Sequence, residues 1–544
     1  MLQRLSTPMT IILKLTQALS DSLSALGFPE QDIKLSPPNN PDFGDLSSNL
    51  ALTLAKDLQK NPIQIANDIK DTLKLPQGLI EEVTVTPPGF LNFKIGQNYY
   101  YETLAQILSD QNFGRGITGK GKKANVEFVS ANPTGPLTVG HGRQAVLGDC
   151  VARILQWNSY DVTKEYYYNN AGRQMRILGQ SVEARYFNTE LPSDGYQGDY
   201  IIDIAKLIRS EEGDNIEHGD SIFQKKAEEI IFEDIKKSLE KLSIHHDVFS
   251  NEQTFYDNGS IDQAISDLKN KDLIYEADGA TWLKTTTIGM DEDRVLIKST
   301  GEPTYRLPDI AYHRNKLERD FNFIVDIFGA DHMGTYPDIL AALNALDYDT
   351  GNIRVLIHQF VTLIKDGEKV KMSTRKADFI TLEKLTKEIG ADVVRYFFIM
   401  RGMNSHLNFD LDLAADQSEK NPVYYLQYAY ARICNIIKHG ESKGISYQSD
   451  YDAKLLDHSA EIRLLKKLDQ FPIIIANSLQ SLEPQSIANY LQDTANCFHK
   501  FYSECHVITD DIDLSNARIA LVSAAQTVLA NGLDLLGISS PEKM

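Results

Sequence analysis

The stretch Val126-Glu-Phe-Val-Ser-Ala-Asn-Pro-Thr-Gly-Pro-Leu-Thr-Val-Gly-His141 decides the fold that we predict. It begins as an alternating strand, passes through a Pro- and Gly-containing turn that suits neither strand nor helix, and ends where a helix begins. In open parallel sheets, helix N-termini beside the carboxyl ends of strands offer free N–H groups and partial positive charge to phosphates. The stretch therefore predicts a phosphate-binding turn in a doubly wound α/β sheet.

Two residues at the end of this turn, Gly140 and His141, have the chemistry of a nucleotide site. A third candidate residue, Glu127, precedes the turn. Gly140 would let a nucleotide approach the backbone, and His141 could donate a hydrogen bond to charge that develops during attack on a phosphate. Glu127 points away from Val126 and Phe128 and would be an acid at the end of a core strand. The alternative is that Gly and Pro only form a turn and that His141 only caps a helix.

A second chemical motif is the basic loop Gly367-Glu-Lys-Val-Lys-Met-Ser-Thr-Arg-Lys-Ala-Asp378, which we expect between an apolar strand and a helix that begins near Thr381. Lys371, Arg375 and Lys376 could neutralise a triphosphate, with Met372 anchoring the loop. The alternative is a solvated basic turn.

The rest of the chain divides into regions of different pattern. A helix over 46–58 and a strand pair at 82–86 and 90–95 predict an N-terminal α+β domain, residues 1–115. Strands at 125–129, 323–328 and 353–357 predict a Rossmann-like doubly wound parallel-sheet domain, residues 116–415, with a charged helical insertion around 175–260. Residues 416–544 read as an all-α helical bundle.

Composition bounds the class of protein but not its chemistry. The 544 residues are 42% hydrophobic and 24% charged, which is ordinary for a folded multidomain protein. The net charge of -20 disfavours a polyanion partner without excluding a local basic groove. Four scattered cysteines predict neither disulfides nor a zinc site. With no signal peptide or membrane-length apolar run, we expect a cytoplasmic protein.

Both chemical motifs resemble those of class I aminoacyl-tRNA synthetases. Ala131-Asn-Pro-Thr-Gly-Pro-Leu-Thr-Val-Gly-His-Gly-Arg143 resembles the "HIGH" region in its bacterial arginyl form, and Lys371-Met-Ser-Thr-Arg375 resembles the "KMSKS" loop. The chain departs from the usual pattern at Thr138, where the family has a histidine, and at Thr374, where the generic motif has a lysine. A hydroxyl at Thr138 can donate a hydrogen bond but cannot carry positive charge.

The resemblance implies roles for residues of the catalytic domain. Within Pro303-Thr-Tyr-Arg-Leu-Pro-Asp-Ile-Ala-Tyr-His313, Tyr305 and Asp309 match the element that grips the guanidinium, although such a pair is otherwise often a surface hydrogen bond. The implied catalytic residues are Thr138, Gly140, His141, Lys371 and Arg375. The implied arginine-binding residues are Glu127, Asn132, Tyr305, Asp309 and His332. The implied ATP-binding residues are Pro133, Gly140, His141, Met372 and Ser373.

Two further segments resemble tRNA-binding parts of the same family. Pro41-Asp-Phe-Gly-Asp-Leu-Ser-Ser-Asn49 resembles the domain that grips the tRNA elbow, and Asn421-Pro-Val-Tyr-Tyr-Leu-Gln-Tyr-Ala-Tyr-Ala-Arg432 resembles the start of the anticodon-binding bundle. The aromatics of the second segment could instead be core residues. The implied tRNA-binding residues are Asn49, Tyr424, Tyr428 and Arg432. The charged insertion has the composition of a passive, solvated element.

The resemblance implies a monomeric ligase that joins L-arginine to tRNA(Arg) through arginyl-adenylate. ATP would bring Mg²⁺, no metal would be held by the protein itself, and activation would require bound tRNA. Other readings are another class I synthetase or a small nucleotidyltransferase, which an amino-acid panel would reveal, and an inactive paralogue that only binds tRNA.

Overall fold

A computed structural model describes residues 11–38, 40–170, 172–213, 215–370, 380–446 and 451–544. The described helices are α1 (Ile11–Leu26), α2 (Leu50–Leu58), α3 (Pro62–Thr72), α4 (Gln97–Ser109), α5 (Val139–Trp157), α6 (Gly172–Phe187), α7 (Asp199–Glu212), α8 (Ile222–Glu240), α9 (Glu252–Asp257), α10 (Ser260–Asn270), α11 (Arg306–Leu317), α12 (Tyr336–Ala345), α13 (Leu382–Ile389), α14 (Ala391–Ile399), α15 (Leu411–Ala415), α16 (Pro422–Ser442), α17 (Ser459–Asp469), α18 (Phe471–Ser481), α19 (Gln485–Glu504) and α20 (Ile512–Leu535). The described strands are β1 (Leu46–Ser48), β2 (Ile80–Thr86), β3 (Phe90–Ile95), β4 (Lys123–Glu127), β5 (Asp161–Tyr168), β6 (Val248–Asn251), β7 (Ile274–Ala277), β8 (Ala280–Leu283), β9 (Arg294–Ile297), β10 (Phe323–Gly329), β11 (Ile353–His358), β12 (Val361–Lys365), β13 (Glu368–Lys369) and β14 (Leu407–Asp410).

The N-terminal part is an antiparallel sheet in the order β1-β3-β2, packed with α1 to α4. The predicted strand pair is confirmed, because β2 and β3 are antiparallel with Val83 opposite Phe93. The predicted helix over 46–58 is wrong at its start. Residues 46–48 are buried and pair with β3, with Leu46 opposite Phe93, and the helix begins only at Leu50. Sheet pairing has therefore overridden local helix propensity.

The central part of the chain is built on a parallel sheet in the order β11-β10-β4-β5-β6. Chain order runs outward on both sides of β4, so the sheet is doubly wound, as predicted. The topological switch point lies between β4 and β10, where Val126 is opposite Val325. Ligands of open α/β sheets bind at the carboxyl ends of the strands beside such a switch point. This edge carries Glu127 on β4 and Gly329 on β10.

Strand β4 ends at Glu127, two residues before the predicted end. Val129 has φ 71° and Ser130 has φ 43°, so the chain leaves the extended conformation at once. Left-handed backbone at a β-branched residue is rare and costs about 1–3 kcal/mol unless the surroundings impose it. The turn after β4 is therefore held in place by the rest of the domain.

Glycines set the position of α5 on the sheet. A Cβ added at Gly148 would lie 2.1 Å from Phe128 Cγ, and one added at Gly142 would lie 2.5 Å from Leu382 Cδ1. Gly148 therefore requires glycine, because the clash is with the base of the Phe128 side chain, whereas a Cβ at Gly142 would force the end of the Leu382 side chain to move. The helix consequently lies close against β4, and its first turn points towards the carboxyl edge of the sheet.

The remaining parts surround this sheet. Helices α6, α7 and α8 pack on one another, and β7, β8 and β9 form a separate antiparallel sheet. Helices α16 to α20 form the predicted C-terminal bundle. The buried Arg395 ties this bundle to the central part by donating to Leu536 O (2.9 Å) and Asp149 Oδ2 (2.6 Å). Within the described ranges, the helices are too short or too polar for a membrane span.

Candidate active site

The turn after β4 is tied down by side chains from β4 and β5. Ser130 Oγ donates to Glu127 Oε1 at 2.8 Å and accepts from the Tyr167 N–H at 3.2 Å. The Tyr166 hydroxyl donates to Ala131 O at 2.7 Å. These contacts explain how the strained backbone persists, since strain of this kind needs an environment that over-determines it.

The phosphate end of the motif is the first turn of α5. Thr138 is the N-cap residue, and its backbone N–H donates to His141 Nδ1 at 3.2 Å. Because Nδ1 accepts this bond, the neutral imidazole must carry its hydrogen on Nε2. Burial lowers the pKa of His141 and outweighs the negative charge of Asp331, which acts to raise it. His141 is therefore a neutral imidazole with an Nε2–H donor beside the helix N-terminus.

Gly140 is not required by the protein's own packing. A Cβ at this position would meet only Thr138 Oγ1, at 3.7 Å, which is ordinary van der Waals contact. This contrasts with Gly142 and Gly148 on the same helix, which are packed against side chains. The space in front of Gly140 is open, as a nucleotide-binding position demands.

The segment that follows the predicted basic loop lies against this turn. Residues 371–379, which include Lys371, Met372, Ser373 and Arg375, lie outside the described residues. Immediately after them, Thr381 pairs with Thr138 and the Leu382 N–H donates to Leu137 O at 2.8 Å. As predicted, a strand precedes the loop and a helix, α13, begins after Thr381. The segment that directly follows the second motif therefore pairs with the end of the first motif at the start of α5.

Glu127 is buried in a charge network beneath the turn. The Lys316 ammonium, fully buried on α11, donates to Glu127 Oε2 and to Asp326 Oδ1 (2.6 Å). His313 Nε2 lies 3.2 Å from Asp326 Oδ2. Burial lowers the pKa of His313, but the Asp326 carboxylate outweighs it and the pKa is raised. Glu127 thus already has a cationic partner inside the protein.

The same network could be mistaken for a metal site. Ligand atoms of Glu127, His313 and Asp326 lie within 4.8 Å of one another. Lys316 already donates to both carboxylates, so the negative charge that would attract a cation is balanced. The geometry is that of a structural ion cluster and not of a metal centre.

Two other carboxylates at this edge have no cationic partner in the described part of the chain. Burial raises the pKa of Asp309 to about 6 and outweighs the attraction of His313, while repulsion from Glu127 adds to the rise. Burial likewise raises the pKa of Glu252 to about 7, with repulsion from Asp309 adding to it. Glu252 is only 4% exposed and accepts a hydrogen bond from the Tyr167 hydroxyl at 2.9 Å. Such a pair, with Glu252 buried and Asp309 half-buried, is suited to a cationic ligand, which would supply positive charge.

Glu252 is a residue that sequence reasoning missed. It begins α9 directly after β6, at the same carboxyl edge as Glu127. Tyr167, its hydrogen-bond donor, stacks on Tyr312 at 4.1 Å between ring centroids, so the pocket wall beside it is aromatic. The usable signal was an acid after a short apolar strand, but the strand at 248–251 was not recognised.

The other predicted arginine-site residues occupy the rim. Asn132 Oδ1 accepts from the Asn169 N–H at 3.1 Å, and its Nδ2 donates to Gln174 Oε1 at 3.0 Å. Tyr305 precedes α11 one turn before Asp309, but its side chain is 62% exposed. The His332 ring is half exposed and stacks on Phe328 at 5.2 Å. Pro133 is buried in the turn beside Asn132.

The predicted tRNA-contact residues lie away from this edge, on the terminal parts of the chain. Arg432 lies over the ring of Tyr428 at 4.3 Å and over that of Tyr502 at 5.0 Å. Tyr428 and Arg432 line a pocket of about 610 Å³. Tyr424 instead packs partly against the hydrophobic core, and Asn49 is an exposed N-cap residue of α2.

Comparison with known proteins matches each part of the chain. Family models described as "Arginyl tRNA synthetase N terminal domain", "tRNA synthetases class I (R), catalytic domain" and "DALR anticodon binding domain" match residues 13–95, 103–392 and 426–544. An arginine–tRNA ligase of Salinibacter ruber is 47% identical over 96% of this chain and 98% of its own length. An arginine–tRNA ligase of Desulfotalea psychrophila is 47% identical over 93% of this chain and 94% of its own length.

A solved structure with the same fold covers nearly the whole molecule. The arginyl-tRNA synthetase of Thermus thermophilus superposes with a TM-score of 0.77 at 22% identity, covering 97% of this chain and 99% of its own. The fold, the pairing of the segment after the second motif with the start of α5, and the full-length relatives agree. The chain therefore belongs to the arginyl-tRNA synthetases, the arginine branch of the class I aminoacyl-tRNA synthetases.

Proposed function

We propose that this chain ligates arginine to tRNA in two steps at the carboxyl edge of the parallel sheet, with Glu252 and Asp309 receiving the guanidinium. The observation that carries the proposal is a pair of carboxylates with raised pKa values, the buried Glu252 and the half-buried Asp309, that form no ion pair among the described residues. A guanidinium is permanently charged and forms charge-assisted hydrogen bonds with carboxylates. Tyr305 would close over the guanidinium, and His332 would form a wall of the pocket.

The other end of the amino acid meets the turn after β4. Asn132 Oδ1 keeps a lone pair beyond the one used by the Asn169 N–H, and it would accept from the α-amino group. Glu127, held by Lys316, would add negative potential beneath that group without being a free carboxylate. The arginine carboxylate would then project towards the first turn of α5.

ATP would bind across the start of α5, with Pro133, Gly140 and His141 beneath it. The arginine carboxylate attacks the α-phosphorus, the bond to the β-phosphate oxygen breaks, and pyrophosphate leaves with Mg²⁺ that arrived with ATP. His141 Nε2–H would donate to the phosphate oxygens as their charge grows. Lys371, Met372, Ser373 and Arg375 are proposed to complete this end, and Thr138 serves by fixing the His141 tautomer.

The second step transfers arginine from the adenylate to the terminal ribose of tRNA. A ribose hydroxyl attacks the activated carbonyl and AMP leaves, so no covalent enzyme intermediate forms. Catalysis then rests on positioning and on electrostatic stabilisation of the phosphate charge. Tyr428 and Arg432, with Tyr424 beside them, would contact unpaired anticodon bases, since such bases stack on tyrosine and arginine. Asn49 would contact the body of the tRNA.

The organisation of the enzyme is part of the proposal. Residues 1–115 and 416–544 would bind tRNA, and residues 116–415 would carry the chemistry. The four cysteines are unpaired, which supports a reducing, cytoplasmic setting. We expect a monomer, because the proposed pocket is built from elements of a single chain.

The test is aminoacylation by the full chain with ATP, Mg²⁺, tRNA and a panel of amino acids. Arginine alone should be charged, and pyrophosphate exchange should need both arginine and tRNA. Charging of another amino acid would point to a different class I synthetase. Binding of tRNA without adenylate formation would point to an inactive paralogue. Robust exchange without tRNA would contradict the arginyl assignment.

A further inference from the structure

The turn between β4 and α5 is held from outside the parallel sheet by the helical insertion. The hydroxyl of Tyr200, on α7, donates to Thr134 O at 2.8 Å. The same ring packs on the backbone of the turn, because a Cβ added at Gly135 would lie 3.0 Å from Tyr200 Oη and 3.3 Å from its Cζ. The insertion thus reaches the part of the turn that lies between the two proposed ligands.

Two more side chains of the insertion reach the same turn. The Tyr196 hydroxyl hydrogen-bonds the Thr134 side chain. Gln174, in the first turn of α6, accepts from Asn132 Nδ2 at 3.0 Å. Thr134 itself is linked to Asn132, because its N–H donates to Asn132 O at 2.8 Å. Restraints on Thr134 are therefore transmitted directly to Asn132.

The other end of the turn has separate anchors. Leu137 O accepts from the Leu382 N–H at 2.8 Å, and Thr138 pairs with Thr381. These contacts come from the segment that follows the basic loop and not from the insertion. The end proposed for arginine and the end proposed for ATP are accordingly held by different parts of the chain.

From this arrangement we infer that Tyr196 and Tyr200 are positioning residues for arginine, which set Asn132 by fixing Thr134. The inference rests on the proposed function, and it gives the insertion a role other than the passive one that its composition suggests. Loss of either hydroxyl lets the Asn132 end of the turn relax while the His141 end keeps its own anchors. Arginine binding should weaken, and ATP binding should not.

The experiment compares Tyr200→Phe and Tyr196→Phe with Tyr186→Phe in the full chain. Tyr186 is a matched control, because it is buried on α6 of the same insertion and its hydroxyl donates to Gly213 O, away from the turn. Removing one hydrogen bond should raise the KM for arginine about 3- to 10-fold in Tyr200→Phe. The KM for ATP should stay within about twofold. Tyr186→Phe should leave both constants near wild type.

Several results would overturn the inference. They are an unchanged arginine KM in Tyr200→Phe, an equal rise in Tyr186→Phe, or a parallel rise in the KM values of arginine and ATP. If Tyr200→Phe folds poorly, the double-mutant cycle of Tyr196→Phe with Thr134→Val decides, because the two effects on the arginine KM should be strongly non-additive. Additive effects would refute the inference. Failure of the wild type to charge arginine would instead refute the proposed function.

Discussion

Replacing Glu252 with glutamine should stabilise the protein and remove arginine binding together. Glutamine has the shape of glutamate and can still accept from the Tyr167 hydroxyl, which now donates to Glu252 at 2.9 Å. Glutamine lacks the negative charge of the Glu252 carboxylate. That charge forms no ion pair in the described part of the chain, and we expect it to pair with the substrate. The unliganded variant should therefore be more stable than wild type. Its complex with arginine should lose the principal ionic contact with the guanidinium.

The size and pH range of the gain follow from the pKa. Folding raises the pKa of Glu252 from 4.5 to about 7, so ionisation opposes folding. Each tenfold change in proton affinity corresponds to about 1.4 kcal/mol, so the free energy of unfolding can rise by at most about 3 kcal/mol. Ionised Glu252 lowers the free energy of unfolding of the wild type by the full amount above pH 7 and by about 1 kcal/mol near pH 5.5. Below the pKa of Glu252 in the unfolded chain, this effect vanishes. The gain in Glu252→Gln should fade over the same range.

Calorimetric unfolding at pH 8 and pH 5.5 measures this, with Glu165→Gln as a matched control. Glu165 is also buried but is paired with Arg319 at 2.7 Å, so burial is outweighed by nearby cations and its pKa is lowered. Glu165→Gln should lower the Tm, whereas Glu252→Gln should raise it by about 2 to 5 °C at pH 8. A lower Tm in Glu252→Gln, or arginine binding within threefold of wild type, would refute the reasoning.

Three further outcomes are expected. Gly140→Ala should fold normally and raise the KM for ATP at least about tenfold. Gly148→Ala should instead lose about 1–3 kcal/mol of stability because its Cβ meets Phe128. Equal losses of Tm in the two variants would contradict this expectation. Arginine affinity, measured by titration from pH 8 to pH 6, should fall about 20-fold as the carboxylates with pKa values of about 7 and 6 take up protons, and a flat profile would contradict it. Lys316→Met should destabilise by about 3–5 kcal/mol, as seen in a lowered calorimetric Tm, because Glu127 and Asp326 lose their buried cation.

The fold could be predicted from sequence where the signal is local. The alternation at β4, the turn and the start of α5 lie within one short stretch, and they correctly predicted a doubly wound sheet. The exact end of β4 could not be predicted, because the left-handed backbone at Val129 and Ser130 is imposed by tertiary contacts such as those of Ser130 with Glu127 and Tyr167.

The site could be predicted only in part, because charge balance is a property of three-dimensional packing. Asp309 was identified beside Tyr305 through a family motif, but Glu252 follows a short strand elsewhere in the chain and has no motif of its own. Lys316 likewise belongs to no motif, yet it is fully buried and forms an ion pair with Glu127. Likewise, nothing local to Tyr200 indicates that its hydroxyl reaches Thr134.

The most direct measurement compares arginine with citrulline, which has nearly the same shape but a neutral urea in place of the guanidinium. Wild-type enzyme, ATP, Mg²⁺ and tRNA are supplied with each amino acid, and charging rates are measured at pH 8. If Glu252 and Asp309 select the cation, kcat/KM for citrulline should be lower by at least about 1000-fold, since the buried Glu252 and the half-buried Asp309 are both left without an ion-pair partner. Citrulline charging within tenfold of arginine would contradict recognition by these carboxylates.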